Sequence, residues 1–276
     1  MPVISTNTAA NSAVAYLNIN SAQESSALSK LSSGLRITQA SDDAAGLAIS
    51  TQISSDVSTL QQAATNASQA TSILQTADGG ASNISDILTR MKSLASEASS
   101  GTVTDDSRTY INEEFSQLTQ EVDSIATGTA YGGQSLLDGT SAFSSSSGVS
   151  VLVGASATDT INVTLSTLTS SALGISGLDV SSQSGATAAL TTLDTALNSV
   201  SSARANIGAE ESRFNFSASS ISTQTQNLQA ADSAITDVDV ASEEATLSSA
   251  EVKTQAAVAA ETAANQMPQY LLKLLG

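Results

Sequence analysis

The chain has 276 residues, 40% of them apolar, with 26 acidic against 9 basic side chains and a net charge of -17. Cysteine and histidine are both absent, which removes thiol nucleophiles, disulfides, Cys/His zinc sites and imidazole acid–base chemistry. The charge repels a phosphate backbone, so nucleic acid is not an expected partner, and with aromatics at 3% and no Trp the core suits thin helices packed along their length.

Met1 to Asn7 hold no basic region and no apolar run of signal-peptide length, the first lysine being Lys30, so the general secretory route is not indicated. The longest apolar runs are too short for a membrane span, and no membrane insertion is expected. From Val14 a seam of alternating three- and four-residue steps reads Val14, Leu17, Ser21, Glu24, Leu28, Leu31 and Leu35, an amphipathic helix with a polar interruption. Half of that face is polar, so the helix is expected to be disordered in a free single chain.

A break is expected near 36 to 42, with Ser41-Asp42-Asp43 supplying an N-cap and first-turn acids for the next helix. That helix carries Ile53, Leu60, Ala67 and Leu74 seven apart, interleaved with Val57 and Ala64, and is expected to stop at Asp78-Gly79-Gly80. A third pattern places Ile84, Met91 and Ala98 on one row and Ile87 and Leu94 on the other, ending at Gly101. A fourth runs Ile111, Leu118 and Ile125 beside Phe115 and Val122, ending at Gly128.

Between Gly128 and about Gly185 the period falls to two: Val149, Val151 and Val153, then Ile161, Val163 and Leu165, around a turn from Gly154 to Asp159. This is a β-hairpin flanked by Ser- and Gly-rich loops. The strongest helical signal follows, with Leu193, Val200, Ile207, Phe214, Ile221, Leu228 and Ile235 recurring every seven residues beside Leu190, Leu197, Ala218 and Ala231. Strict heptads mark a helix that winds against others, and with the three internal patterns it makes a bundle. Beyond Thr236-Asp237-Val238, Ala245, Val252 and Ala259 stand seven apart in an Ala-rich helix. Pro268 is expected to break or kink it ahead of a tail holding Leu271, Leu272, Leu274 and Leu275.

Leu28-Ser29-Lys30-Leu31-Ser32-Ser33-Gly34-Leu35-Arg36-Ile37, followed by Asp42-Asp43-Ala44-Ala45-Gly46-Leu47-Ala48-Ile49, resembles the amino-terminal signature of bacterial flagellin. Ala203-Arg204-Ala205-Asn206-Ile207-Gly208-Ala209 and the closing Gln266-Met267-Pro268-Gln269 with its leucine tail are similar to the other end of that family. The resemblance covers roughly residues 1 to 140 and 185 to 276, with the short 141 to 184 insert in place of larger outer domains. It implies a minimal flagellin, a mainly α protein of long antiparallel helices with a small β-hairpin region at the tip. Residues 1–42 and 237–276 are then a terminal coiled-coil domain at the filament core, 43–140 and 185–236 a helical rod domain, and 141–184 its hairpin insert.

The implied function is a structural subunit that polymerises into the flagellar filament for swimming motility. Implied partners are copies of itself or sister flagellins, the flagellar cap and hook-junction proteins, and an export chaperone that holds the carboxy-terminal segment before type III flagellar export to the extracellular flagellum. Inter-subunit and coiled-coil packing is assigned to Val14, Leu17, Leu28, Leu31, Leu35, Val238, Ala245, Val252, Ala259, Leu271, Leu272, Leu274 and Leu275. The rod seam is assigned to Ile53, Leu60, Leu74, Met91, Leu118 and the Leu193 to Ile235 row. Arg90, Leu94 and Glu114 fall where many flagellins meet an innate immune receptor, and mark a candidate patch; the bland reading puts Leu94 in the bundle seam and pairs Arg90 with a neighbouring acid.

Two alternatives stand beside this one. A hook-filament junction protein shares the end-pairing design, but usually has a proline after the two acids where this chain has Ala44. A discrete coiled-coil interaction module predicts a fixed oligomer instead of open growth. Adjacent acids such as Asp42-Asp43, Asp105-Asp106 and Glu243-Glu244 point about 100° apart on a helix and make poor catalytic pairs. No enzyme activity, cofactor or metal is expected.

Overall fold

The computed structural model describes residues 6–275, and the side chains of 6–270. Five helices carry the chain: α1 (Thr8–Ser33), α2 (Ala44–Ser99), α3 (Asp105–Gly128), α4 (Gln183–Thr236) and α5 (Val240–Leu275). Two antiparallel strand pairs lie between α3 and α4: β1 (Ala130–Tyr131) with β2 (Gln134–Ser135), and β3 (Val149–Leu152) with β4 (Thr160–Val163). The fold is therefore mainly α with a small hairpin region.

The chain divides into two compact units, residues 1–55 with 227–276, and residues 56–226. In the first, α1 starts at Thr8 under an Asn7 cap whose side chain accepts from the Ala10 N–H at 3.1 Å. It stops at Gly34, which takes the left-handed conformation (φ 73°) and donates its N–H to Lys30 O at 2.9 Å. A side chain there is strained. Asp43 caps α2, accepting from Gly46 N at 2.8 Å. Asp42 instead holds the preceding loop, accepting from Thr38 N, Thr38 Oγ1 and Gln39 N. The first turn of α2 thus holds no acid, contrary to expectation.

In the second unit the expected stop at Gly79-Gly80 does not occur. The second and third sequence patterns belong to one uninterrupted helix, α2, and the bundle is built from α2, α3 and α4. Gly80 is buried, and a Cβ on it meets Thr129 Cγ2 at 2.8 Å and Leu137 Cδ1 at 2.9 Å. Its missing side chain admits the chain leaving α3, so the residue serves close approach and not termination. Pro268 likewise lies inside α5 without ending it. Gly101 falls past the end of α2 in a turn. The hairpin forms with Val149 opposite Val163 and Val151 opposite Ile161. The smaller pair turns through Gly132 and Gly133, both at positive φ, as a two-residue hairpin loop requires.

The core of this unit gathers Leu74, Ile84, Leu88, Met91, Phe115, Val122, Leu136, Leu168, Ile175, Leu193, Val200, Ile207 and Phe214. Ile161 and Val163 add the buried face of β4. The loop from 165 to 182 is pinned to α3: Asp123 accepts from Ser170 N at 2.8 Å and Ser170 Oγ at 2.7 Å, and Asn112 accepts from Val180 N at 2.9 Å.

Candidate functional site

The terminal helices α1 and α5 pair antiparallel. At one end Asn7 Nδ2 donates to Ala264 O at 2.8 Å; at the other Lys30 meets Glu243 at 3.8 Å. Between them the buried residues are Ala10, Ala13 and Ala27 on α1 and Ala250, Ala257 and Ala264 on α5. The methyl-sized side chains of this seam suit close packing of the two helices.

The bulky apolar residues point elsewhere. Leu17 and Leu31 flank the alanine seam half-buried, whereas Val14, Leu28 (58% exposed) and Leu35 face outward, joined by Tyr16 and Ile19. Val14 and Leu28 each follow a buried alanine by one position, about 100° round the helix. On α5, Val252 is 63% exposed and Ala245 and Ala259 are exposed. Their row stands two positions beyond Ala250 and Ala257, about 200° round, on the side away from α1. The row that the sequence pattern singled out on α5 is therefore not the seam that joins it to α1. Spacing of 10, 13, 17, 20, 24, 27 and 31 on α1, and of 250, 257 and 264 on α5, held the signal for the alanine seam. The side chains of Leu271, Leu272, Leu274 and Leu275 lie outside the described residues.

The two chain crossings in this unit are tied together. Leu35 bridges Asp237, Arg36 N donates to Thr236 O at 2.6 Å, and Val238 N donates to Gly34 O at 3.1 Å. The Arg36 guanidinium donates to Ile235 O at 3.1 and 2.8 Å, covering a carbonyl at the end of α4, and meets Asp43 at 3.4 Å. Gly46 N–H, and after it Arg36, holds the Asp43 carboxyl below the usual carboxylate range; Asp42 is lowered chiefly by the Thr38 N–H. Buried Ile37 packs where Gly46 has no side chain, a Cβ there meeting Ile37 Cδ1 at 2.7 Å. Half-buried Ile53, Leu228, Ile235 and Val238 belong to the same unit.

In the bundle unit Leu60, Leu74, Met91, Leu193, Val200, Ile207, Phe214 and Ile221 are buried and Leu118 is half-buried. Arg90 donates to Glu114 Oε1 through Nε at 2.9 Å and Nη2 at 2.6 Å on the surface, while Leu94 is 2% exposed in the core. The three do not make one exposed patch. Leu94 lies in the bundle core, and Arg90 is paired with Glu114. Sequence reasoning missed Arg108, which is 6% exposed and donates to Ala98 O at 2.7 Å and Ser100 O at 2.9 Å, closing the carbonyl end of α2. It also missed Arg204, which grips Asp78 at 2.8 and 3.2 Å.

Residues 4–142 match the family described as the bacterial flagellin N-terminal helical region, and residues 190–275 match the bacterial flagellin C-terminal helical region. The chain is 36% identical to a flagellin of Halalkalibacterium halodurans over 99% of both sequences. The chain belongs to the bacterial flagellin family. It is also 35% identical to a flagellin of Bacillus subtilis over 99% of each, and 36% identical to a flagellar filament 30.7 kDa core protein of Treponema maltophilum over 94% of each. A crystal structure of Bacillus cereus flagellin covers 61% of the chain and 94% of its own, at 29% identity and a TM-score of 0.51. A putative hook-associated protein of Vibrio parahaemolyticus covers 70% of this flagellin-family chain and 99% of its own, at 18% identity and a TM-score of 0.57, a likeness of fold alone.

Proposed function

We propose that copies of this chain polymerise into the filament of a bacterial flagellum, and that the outward rows of α1 and α5 are the packing surface between copies. The observation that carries the reading is the inversion in the terminal pair: alanines face inward, and Val14, Leu28, Leu35 and Val252 face out. An exposed apolar row on each of two paired helices asks for cover, and a head-to-tail contact that does not close on itself grows as an open helix. Family membership supports a structural, non-enzymatic role, and the hook-junction and discrete-module readings are not favoured.

Within this proposal residues 1–42 and 237–276 form the filament core layer, 43–140 and 185–236 the surrounding helical layer, and 141–184 its outer insert. The location is the extracellular flagellum. Type III flagellar export of the unfolded chain, a chaperone on the carboxy-terminal segment, and contacts with cap, hook-junction and sister flagellin subunits complete the proposal. No disulfide has to be reduced for unfolding, cysteine being absent. Among the described residues no helix is long and apolar enough to cross a membrane.

Seeded growth tests the reading: concentrated protein given short filament fragments is expected to form long helical filaments by electron microscopy, and a chain lacking 268–276 is expected not to. A stable discrete oligomer that ignores seeds overturns the polymer reading. Normal filaments from the truncated chain overturn only the role given to the leucine tail.

A further inference from the structure

Glu210 lies on α4 against the end of β4, in the bundle unit. Its Oε1 accepts from Thr164 N at 3.4 Å and Thr164 Oγ1 at 3.5 Å, both long contacts. Its Oε2 is buried with no hydrogen-bond partner. The hydroxyls of Ser141 and Ser144 are also buried and unpartnered. They flank Phe143, whose carbonyl accepts from Leu165 N at 2.9 Å, the residue after Thr164. Beside the end of β4, one oxygen of the Glu210 carboxylate is therefore buried without a donor.

We infer that Glu210 is a proton-operated clasp on the base of the β3–β4 hairpin. When the carboxyl is ionised, its buried oxygen shares the charge without a donor, a costly state for an atom withdrawn from water. Taking up a proton from solvent removes the charge and turns the group into a donor, while Oε1 goes on accepting from Thr164. Burial pushes the Glu210 carboxyl above its usual range, against the opposing pull of the Thr164 bonds and of Arg213. Arg213, one turn along α4, is the charged group that faces it; the strand end brings Thr164, and the segment from Ser141 to Ser144 brings no titratable side chain. With the folded value raised, the anchoring is fully present below the usual glutamate range and is lost as pH rises through the folded titration point.

The inference is independent of filament formation and is tested on the full chain. Carboxyl-selective carbon NMR follows the titration of Glu210, and amide exchange at Thr164 and Leu165, corrected for its intrinsic pH dependence, follows the anchoring. Glu210 is expected to titrate above the usual range, with protection at the two amides falling in step as pH rises. The fall is expected to be about tenfold for each pH unit between the folded and unfolded titration points. E210Q, neutral at every pH, is expected to hold the protection flat. Titration of Glu210 in the usual range, pH-invariant protection in the wild-type chain, or an unchanged pH dependence in E210Q each overturns the inference. Should E210Q not fold, the wild-type titration and the exchange of T164V decide: T164V removes one of the bonds that hold the carboxylate ionised and is expected to raise the titration point, and an unmoved titration point there counts against the clasp.

Discussion

Val252→Asp separates the two faces of α5. The valine is 63% exposed in the single chain, and full burial of a valine stabilises by about 1.5–3 kcal/mol, so covering the exposed part in a filament contributes about 1–2 kcal/mol. A carboxylate in its place forfeits that and adds a desolvation penalty of roughly 2–3 kcal/mol when it is covered without a partner. The combined loss of about 3–5 kcal/mol raises the critical concentration for growth by about two to three and a half decades. In the single chain the same change sits on the solvent side of α5, and its effect on folding is about half a kcal/mol. Light scattering against protein concentration gives the first quantity and urea unfolding the second. Growth of V252D at the wild-type critical concentration refutes the assignment of this row to subunit contacts, whatever other surface proves responsible.

The remaining predictions concern folding of the chain itself. Ala257→Leu puts three extra carbons into the close seam of α1 and α5 and is expected to cost about 1–3 kcal/mol by overpacking, read as lost amide protection along both helices. Arg108→Met removes the donors of Ala98 O and Ser100 O and is expected to destabilise by about 3–5 kcal/mol, measured by urea unfolding; a change below about 1 kcal/mol counts against its capping role. Asp43 has its carboxyl held below the usual range, so the stability it gives is present above that range and is lost as pH falls through the folded titration point. Thermal melting of wild type and D43N across the acid range checks this, and the expected result is a shallower acid-side loss in D43N.

The row from Leu193 to Ile235 was legible because large side chains at a strict period leave one face of a helix with no alternative but burial, and its members from Leu193 to Ile221 are buried. Val149 to Val153 and Ile161 to Leu165 were legible for the same reason at period two. Gly79-Gly80 misled because a glycine inside a helix and a glycine ending one look alike until the neighbour is known; here that neighbour is Thr129 with Leu137, some fifty residues on. Arg108 showed in the sequence only as an i,i+3 partner of Asp105, since the carbonyls of Ala98 and Ser100 that it caps are groups any residue supplies. The boundary between the two compact units falls inside α2 and α4, where no Gly, Pro or loop interrupts the helical pattern. On α1 and α5, ranking by side-chain size picked Val14, Leu28 and Val252, which face outward, whereas the seam joining the two helices is marked by alanine.

Alanine at the seam and larger groups outside follow from what each contact has to do. Within one chain the two terminal helices are held near each other by the covalent run through the rest of the fold and by the Leu35–Asp237 bridge with Arg36, so their local concentration is high and weak contacts suffice. Between chains no such tether exists, and each contact has to overcome the loss of free translation and rotation, a cost of several kcal/mol. If the outward rows are the subunit contacts, as proposed, bulky side chains are most effective there, and placing them inward strengthens the contact within one chain at the expense of the contact between chains. On the proposed assignment, the rows that hold Tyr16, Ile19, Leu28 and Val252 are broken by Ser, Asn and Gln, and a net charge of -17 opposes the association of copies through a few contacts.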